Sequence, residues 1–220
     1  QAFLRCTHLT TVTIPDSVES IGQYAFANCT ALESVTLPTN VNFTTINEGL
    51  FASCSALQIT VTIPNSVTTI GVGAFASCSE LTTMTIPNNV ETIGVGAFYE
   101  CSKLVDVTLP INDNFTVIND RTFQNCSSFQ SIAIPDSVTL ISATVGAGAF
   151  VNSILTTLTT TFNNNLGLVS GVQTIGGKTG VTVLVGNAPT FTSTAITSAT
   201  SFVAYSYTVT TSDVDAGDTV

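Results

Sequence analysis

A phenylalanine returns at near-constant intervals through this chain, and that recurrence limits what it can fold into more than any other feature. Phe3, Phe26, Phe51, Phe75, Phe98, Phe123 and Phe150 lie 23, 25, 24, 23, 25 and 27 residues apart. Three residues after each comes Cys6, Cys29, Cys54, Cys78, Cys101 or Cys126, and then Ser153. Six after the first six come Leu9, Leu32, Leu57, Leu81, Leu104 and Phe129. Alternating apolar pairs follow, Val12/Ile14, Val35/Leu37, Val61/Ile63, Met84/Ile86, Val107/Leu109 and Ile132/Ile134, and a proline closes each. Self-similarity with a period of about 24 residues is the signature of a solenoid, in which no unit buries its own apolar face and stacked units share one core.

Each repeat position has a physical reading. The period-2 run, as in Leu9-Thr-Thr-Val12-Thr-Ile14, predicts a short strand with one buried face. Proline has no N–H to give, so Pro15, Pro38, Pro64, Pro87, Pro110 and Pro135 end the strand. A second apolar pair, as in Val18/Ile21 or Val67/Ile70, points back inward, and Gly-x-x-Ala-Phe-x-x-Cys reads as one tight helical turn. Two lengthened turns, around Asn42-Phe43-Thr44 and Asn112–Thr116, sit three repeats apart and resemble each other, which suggests a duplicated three-repeat block.

The pattern Leu-x-x-Val-x-Ile-Pro … Ile-Gly-x-x-Ala-Phe-x-x-Cys resembles the BspA-like, or Treponema pallidum-type, leucine-rich repeats. The expected fold is therefore a leucine-rich-repeat β-solenoid with short parallel strands and one helical turn per repeat. Residues 1–149 carry the repeats. Residues 150–187 read as a degenerate closing repeat, with Ser153 in the cysteine position and Val172/Ile175-Gly176 as a last turn. From 188 to 220 the register changes. Pro189-Thr-Phe191, Tyr205-Ser-Tyr207-Thr-Val209 and Asp213-Val-Asp215-Ala-Gly217-Asp218 are similar to the opening strands of bacterial cadherin-like and immunoglobulin-like domains. Two or three such strands do not fold alone, so they need more chain or a neighbouring strand.

Composition removes several function classes. Only 8% of residues are charged, against about 25% in an ordinary domain, although mean hydropathy is +0.47. Solubility must then rest on Thr, Ser and Asn. Four cations stand against fourteen acids, for a net charge of −10, and Arg5, Lys103, Arg121 and Lys178 are scattered. No basic stripe is available for nucleic acid or an anionic membrane, and no run is long enough to span a bilayer. The opening Gln1-Ala2-Phe3 reads as a mature or excised segment, and the resemblance places the chain outside the cell or on its surface.

The candidate sites are few. The six cysteines share one register position and are expected to form a buried, reduced structural ladder rather than disulfides or a metal site. His8 has no partner for a catalytic triad, and the Gly-x-Gly stretches at Gly71/Gly73 and Gly94/Gly96 recur as turn glycines, so neither catalysis nor a nucleotide cofactor is expected. Asp213, Asp215 and Asp218 supply hard oxygens suited to Ca²⁺. Four N-glycosylation sequons occur, at Asn28, Asn42, Asn114 and Asn125, about as many as chance gives here; Asn42 and Asn114, in the lengthened turns, are best placed. The strand's outward positions form two columns. One runs Thr11, Ser34, Thr60, Thr83, Asp106 and Ser131; the other runs Thr13, Thr36, Thr62, Thr85 and Thr108. They define a candidate binding face, although the curvature of leucine-rich repeats argues against a flat ice-binding surface.

Two functions from different classes follow. The resemblance implies a non-enzymatic adhesion or recognition module that binds a host or surface protein or a polysaccharide. The alternative is a structural subunit that joins copies of itself head-to-tail into a filament, through an open solenoid end and the C-terminal strands.

Overall fold

The computed structural model describes residues 1–58, 61–144, 146–160, 166, 171–175 and 178–185. The cadherin-like stretch and its three aspartates lie outside these residues, as does Thr60. The described strands are β1 (Thr11–Thr13), β2 (Ser34–Thr36), β3 (Thr45–Ile46), β4 (Thr69–Ile70), β5 (Thr83–Thr85), β6 (Thr92–Ile93), β7 (Asp106–Thr108), β8 (Val117–Ile118), β9 (Ser131–Ala133), β10 (Leu140–Ile141), β11 (Thr157–Thr160), β12 (Gly171–Ile175) and β13 (Lys178–Val185). They build a parallel-strand solenoid whose stacked rungs form three walls.

The first wall is the period-2 strand. β1 lies parallel to β2, β5 to β7 and β9 to β11, each in register. Val35, Met84, Val107, Ile132 and Leu158 point into the core while their neighbours face out. In the third rung Val61 and Ile63 are buried and Thr62 is exposed, but residues 61–63 carry no strand. The reason is legible in the spacing: four residues separate Leu57 from Val61, where every other rung has three.

The second wall is a two-residue parallel ladder, with β4 between β3 and β6, and β8 paired to β10. Here the lengthened turns resolve into something the sequence reading did not foresee. Phe43 and Phe115 are fully buried and stand three residues before Ile46 and Ile118, as Val67 and Val90 stand before Ile70 and Ile93. Each insertion therefore adds two residues ahead of an enlarged core plug, and does not project as a loop. Asn40 and Asn112 hold the two turns identically. Each side-chain Oδ1 accepts from two backbone N–H groups, those of Asn42 and Phe43 or Asn114 and Phe115. Each Nδ2 donates to a carbonyl of the preceding rung, Val18 or Val90.

The third wall corrects the expectation of a helical turn. The stretch from Gly22 to Leu32 is a chain of i→i+3 turns, closed by Ala25 N–H to Gly22 O, Ala27 N–H to Tyr24 O, Cys29 N–H to Phe26 O and Leu32 N–H to Cys29 O. Residues two before and two after Phe take the left-handed conformation, as in Tyr24 (φ 55°) and Asn28 (φ 60°), or Gly96 (φ 61°) and Glu100 (φ 60°). These positive φ values at the third turn position break any helix. They also turn alternate N–H groups toward the next rung: Tyr24, Phe26 and Asn28 donate to Glu48, Leu50 and Ala52. A helix satisfies its own backbone, whereas this wall passes its hydrogen bonds along the solenoid axis.

Inside, the seven repeat phenylalanines stack face to face. Consecutive ring centroids lie 5.0, 5.8, 5.5, 5.6, 5.7 and 5.6 Å apart, and the planes differ by no more than 21°. Such offset pairs contribute about 0.5–1.5 kcal/mol each beyond burial. The stack closes at the C-terminal end with a second correction. Val172–Ile175 is not a last repeat turn: β12 is an antiparallel strand against β13, and β13 lies parallel to β11 with Thr182 opposite Thr157. The main wall thus gains two strands beyond the last recognisable repeat.

Candidate binding face and thiol ladder

The outward positions of the strand wall come together as the sequence predicts, with additions. Thr11, Thr13, Thr36, Thr62, Thr85, Asp106, Thr108 and Ser131 are exposed, and Ser34 and Thr83 are half-buried. Strand pairing sets Thr11 beside Ser34, Thr13 beside Thr36, Thr83 beside Asp106 and Thr85 beside Thr108. Sequence reasoning missed the continuation. Thr157 lies beside Ser131 and Thr159 beside Ala133 on β11, then Thr182 and Leu184 follow on β13. The alternation Leu155-Thr-Thr-Leu158-Thr159 was the available signal for β11; nothing local announces that β13 joins in parallel.

Among the fifteen described positions in the two columns, twelve are Thr or Ser, and the others are Asp106, Ala133 and Leu184. None of the twelve hydroxyls hydrogen-bonds another described protein group. Some hydroxyls elsewhere are spent on the scaffold, Ser66 on the Phe43 carbonyl, Ser79 on the Ser55 carbonyl, Ser127 on the Ser102 carbonyl and Ser77 on the Glu100 carboxylate, whereas those of Thr82, Ser137 and Thr160 are buried without a partner.

The cysteines belong to the turn wall. Cys29, Cys54, Cys78, Cys101 and Cys126 are buried, and Cys6 is half-buried in the first rung. Each buried thiol donates to the carbonyl of the phenylalanine one rung earlier: Cys29 to Phe3, Cys54 to Phe26, Cys78 to Phe51, Cys101 to Phe75 and Cys126 to Phe98, at 3.1–3.2 Å. The same carbonyl also accepts the backbone N–H of the cysteine in its own rung, so both lone pairs are used. Burial pushes the Cys54 and Cys126 thiols up to about 12 and those of Cys78 and Cys101 well above their ordinary value, which keeps them protonated and able to donate. Ser153, in the seventh rung, shows why the residue matters. Its shorter hydroxyl turns to its own Phe150 carbonyl at 2.8 Å and makes no bond to the preceding rung.

The sequon asparagines separate into two kinds. Asn42 and Asn114 are exposed at the lengthened turns, with amides on the Glu19 and Glu91 carboxylates of the preceding rungs. Asn28 and Asn125 hold left-handed positions in the turn wall. The Asn125 amide is engaged with the Tyr99 hydroxyl, and its Oδ1 accepts from Asn152. His8 is exposed beside the Thr7 hydroxyl. Among the described residues no group of three or more His, Cys, Asp or Glu side chains could hold a metal, and no helix is long and apolar enough to cross a membrane. A shallow groove of about 560 Å³ runs beside the first lengthened turn, between Thr39/Val41 and Thr62–Ser66.

Comparison with known proteins bears on this arrangement directly. The family profile of the BspA type leucine rich repeat region matches in six copies, over residues 1–112 and 44–169. No curated protein matches the sequence. A leucine-rich repeat protein from Bacteroides ovatus is similar in structure over 84% of this chain and 57% of its own, with 25% identity and a TM-score of 0.60. The leucine-rich repeat protein of T. pallidum is similar over 59% of this chain and 58% of its own, with 35% identity and a TM-score of 0.54. The chain thus spans less than three fifths of either relative.

Proposed function

The chain belongs to the BspA-type leucine-rich repeat family, and from that premise we propose that it is a non-catalytic recognition module acting outside the cell or at its surface. It engages its partner through the exposed strand wall. The observation that carries this reading is the set of twelve Thr and Ser hydroxyls, ordered in two columns and unused by the scaffold. Solenoids bind through such continuous faces because every rung repeats the same presentation. The turn wall offers a poorer surface, since its polar side chains are tied to one another, as in the Asn152–Asn125–Tyr99 chain.

The experiment compares two triple substitutions in binding to intact cells and matrix-coated surfaces. Thr36→Arg/Thr85→Arg/Thr108→Arg places charge on the strand wall. Val72→Arg/Val95→Arg/Arg121→Glu alters exposed positions of the turn wall. Loss of binding in the first with retention in the second is expected. The reverse pattern would remove the strand wall from the account.

A further inference from the structure

Building on that reading of the strand wall, we infer that its partner is an extended, uncharged polysaccharide chain lying along the solenoid axis. Three features of the face point to this chemistry. The first is its lattice. Parallel, in-register strands repeat about every 4.8 Å, and residues two apart on a strand lie about 6.6–6.8 Å apart. A linear polymer on this wall meets a pair of hydroxyls on β1, β2, β5 and β11, and a single hydroxyl in the same register on β7, β9 and β13.

The second feature is the hydroxyl itself. Each is both donor and acceptor, and each threonine adds a methyl group beside it. A sugar ring presents the same mixture of hydroxyl and C–H. Because none of the twelve is hydrogen-bonded to a described protein group, a ligand displaces only water.

The third is charge. The chain carries a net −10, yet Asp106 is the one ionisable residue among the fifteen outward positions. Glu19, Glu33, Glu48, Glu80, Glu91 and Glu100 all sit off these columns. A cationic partner would be drawn to those other surfaces, and the neutral wall is left for a neutral one. The columns hold no aromatic or basic residue, so they lack the anchors on which protein–protein interfaces depend. Contacts at single rungs are weak, and affinity accumulates with the number of rungs spanned.

The test uses the full chain and defined polymers. Insoluble cellulose and chitin serve as extended neutral chains, amylose as a coiled neutral chain, and soluble β-linked oligosaccharides of increasing length give affinities. The expected result is depletion by cellulose or chitin but not by amylose. Affinity should rise about tenfold or more from short to long oligosaccharides. Binding should be indifferent to salt from about 0.05 to about 0.5 M. Thr36→Val/Thr85→Val/Thr108→Val, which keeps shape and strand propensity but removes three hydroxyls, should lose most of the binding while circular dichroism and melting stay unchanged. No binding to either extended polymer, or binding that salt abolishes, would overturn the inference. Ice-growth inhibition in cold solution without polymer binding would do the same. Strand-wall binding confined to proteins on a matrix array would also overturn it, while leaving the recognition function through that wall intact.

Discussion

At the scale of single residues, phenylalanine and cysteine divide the work of holding rungs together. The ring fills the core and stacks on its neighbours; the thiol bonds the backbone of the preceding rung. Phe75 is fully buried and stacks on both Phe51 and Phe98. Phe75→Ala should therefore lower unfolding free energy by about 3–5 kcal/mol, read by denaturant titration. Cys101→Ala removes one donor from the Phe75 carbonyl and a small buried volume, and should cost about 1–2 kcal/mol. The thiols also set a pH dependence. An unfolded thiol ionises from about 9, whereas Cys54 and Cys126 in the fold hold their protons to about 12. The unfolded state then binds fewer protons in that window, so stability is full below pH about 9 and falls as pH rises toward 12. Denaturant midpoints measured from neutral pH to about pH 10.5 should decline, and the slope should lessen in Cys54→Ala/Cys126→Ala.

At the scale of the element, the turn wall is the least forgiving part of the fold. A Cβ added at Gly94 would sit 2.5 Å from the Val72 backbone nitrogen and 2.6 Å from the Gly71 carbonyl carbon, so neighbouring rungs meet there backbone to backbone. Gly94→Ala should destabilise by about 1–3 kcal/mol and lower the melting temperature, whereas Gly22→Ala, with nothing within 4 Å, should leave it nearly unchanged. This wall also shows where sequence patterning stops short. Gly-x-x-Ala-Phe-x-x-Cys has the i, i+3 spacing of a helical turn. The left-handed residues that break it are as different as Tyr24, Ser77, Glu100 and Arg121, none of which signals positive φ by its type. The strand wall was legible because period-2 alternation and a closing proline are local signals. Phe43 and Phe115 were read as turn residues because two added residues obscured their alignment with Val67 and Val90.

At the scale of the whole molecule, the rungs, their order and the columns facing outward followed from register alone. The closing hairpin did not, because a parallel pairing such as β13 on β11 is decided by the free edge that β11 presents. That hairpin carries the hydroxyl columns past the last repeat, so the face is longer than the repeat count suggests. The central claim is that this strand wall, and not the turn wall, meets the partner. Hydroxyl-radical footprinting of the chain, free and bound to the surface it recognises, tests it most directly. The account predicts protection at Leu184 and at the exposed outward positions along the strand wall, with Tyr24, Val72, Val95 and Tyr99 labelled equally in both states. Protection of Val72, Val95 and Tyr99 with the strand wall unchanged would contradict it.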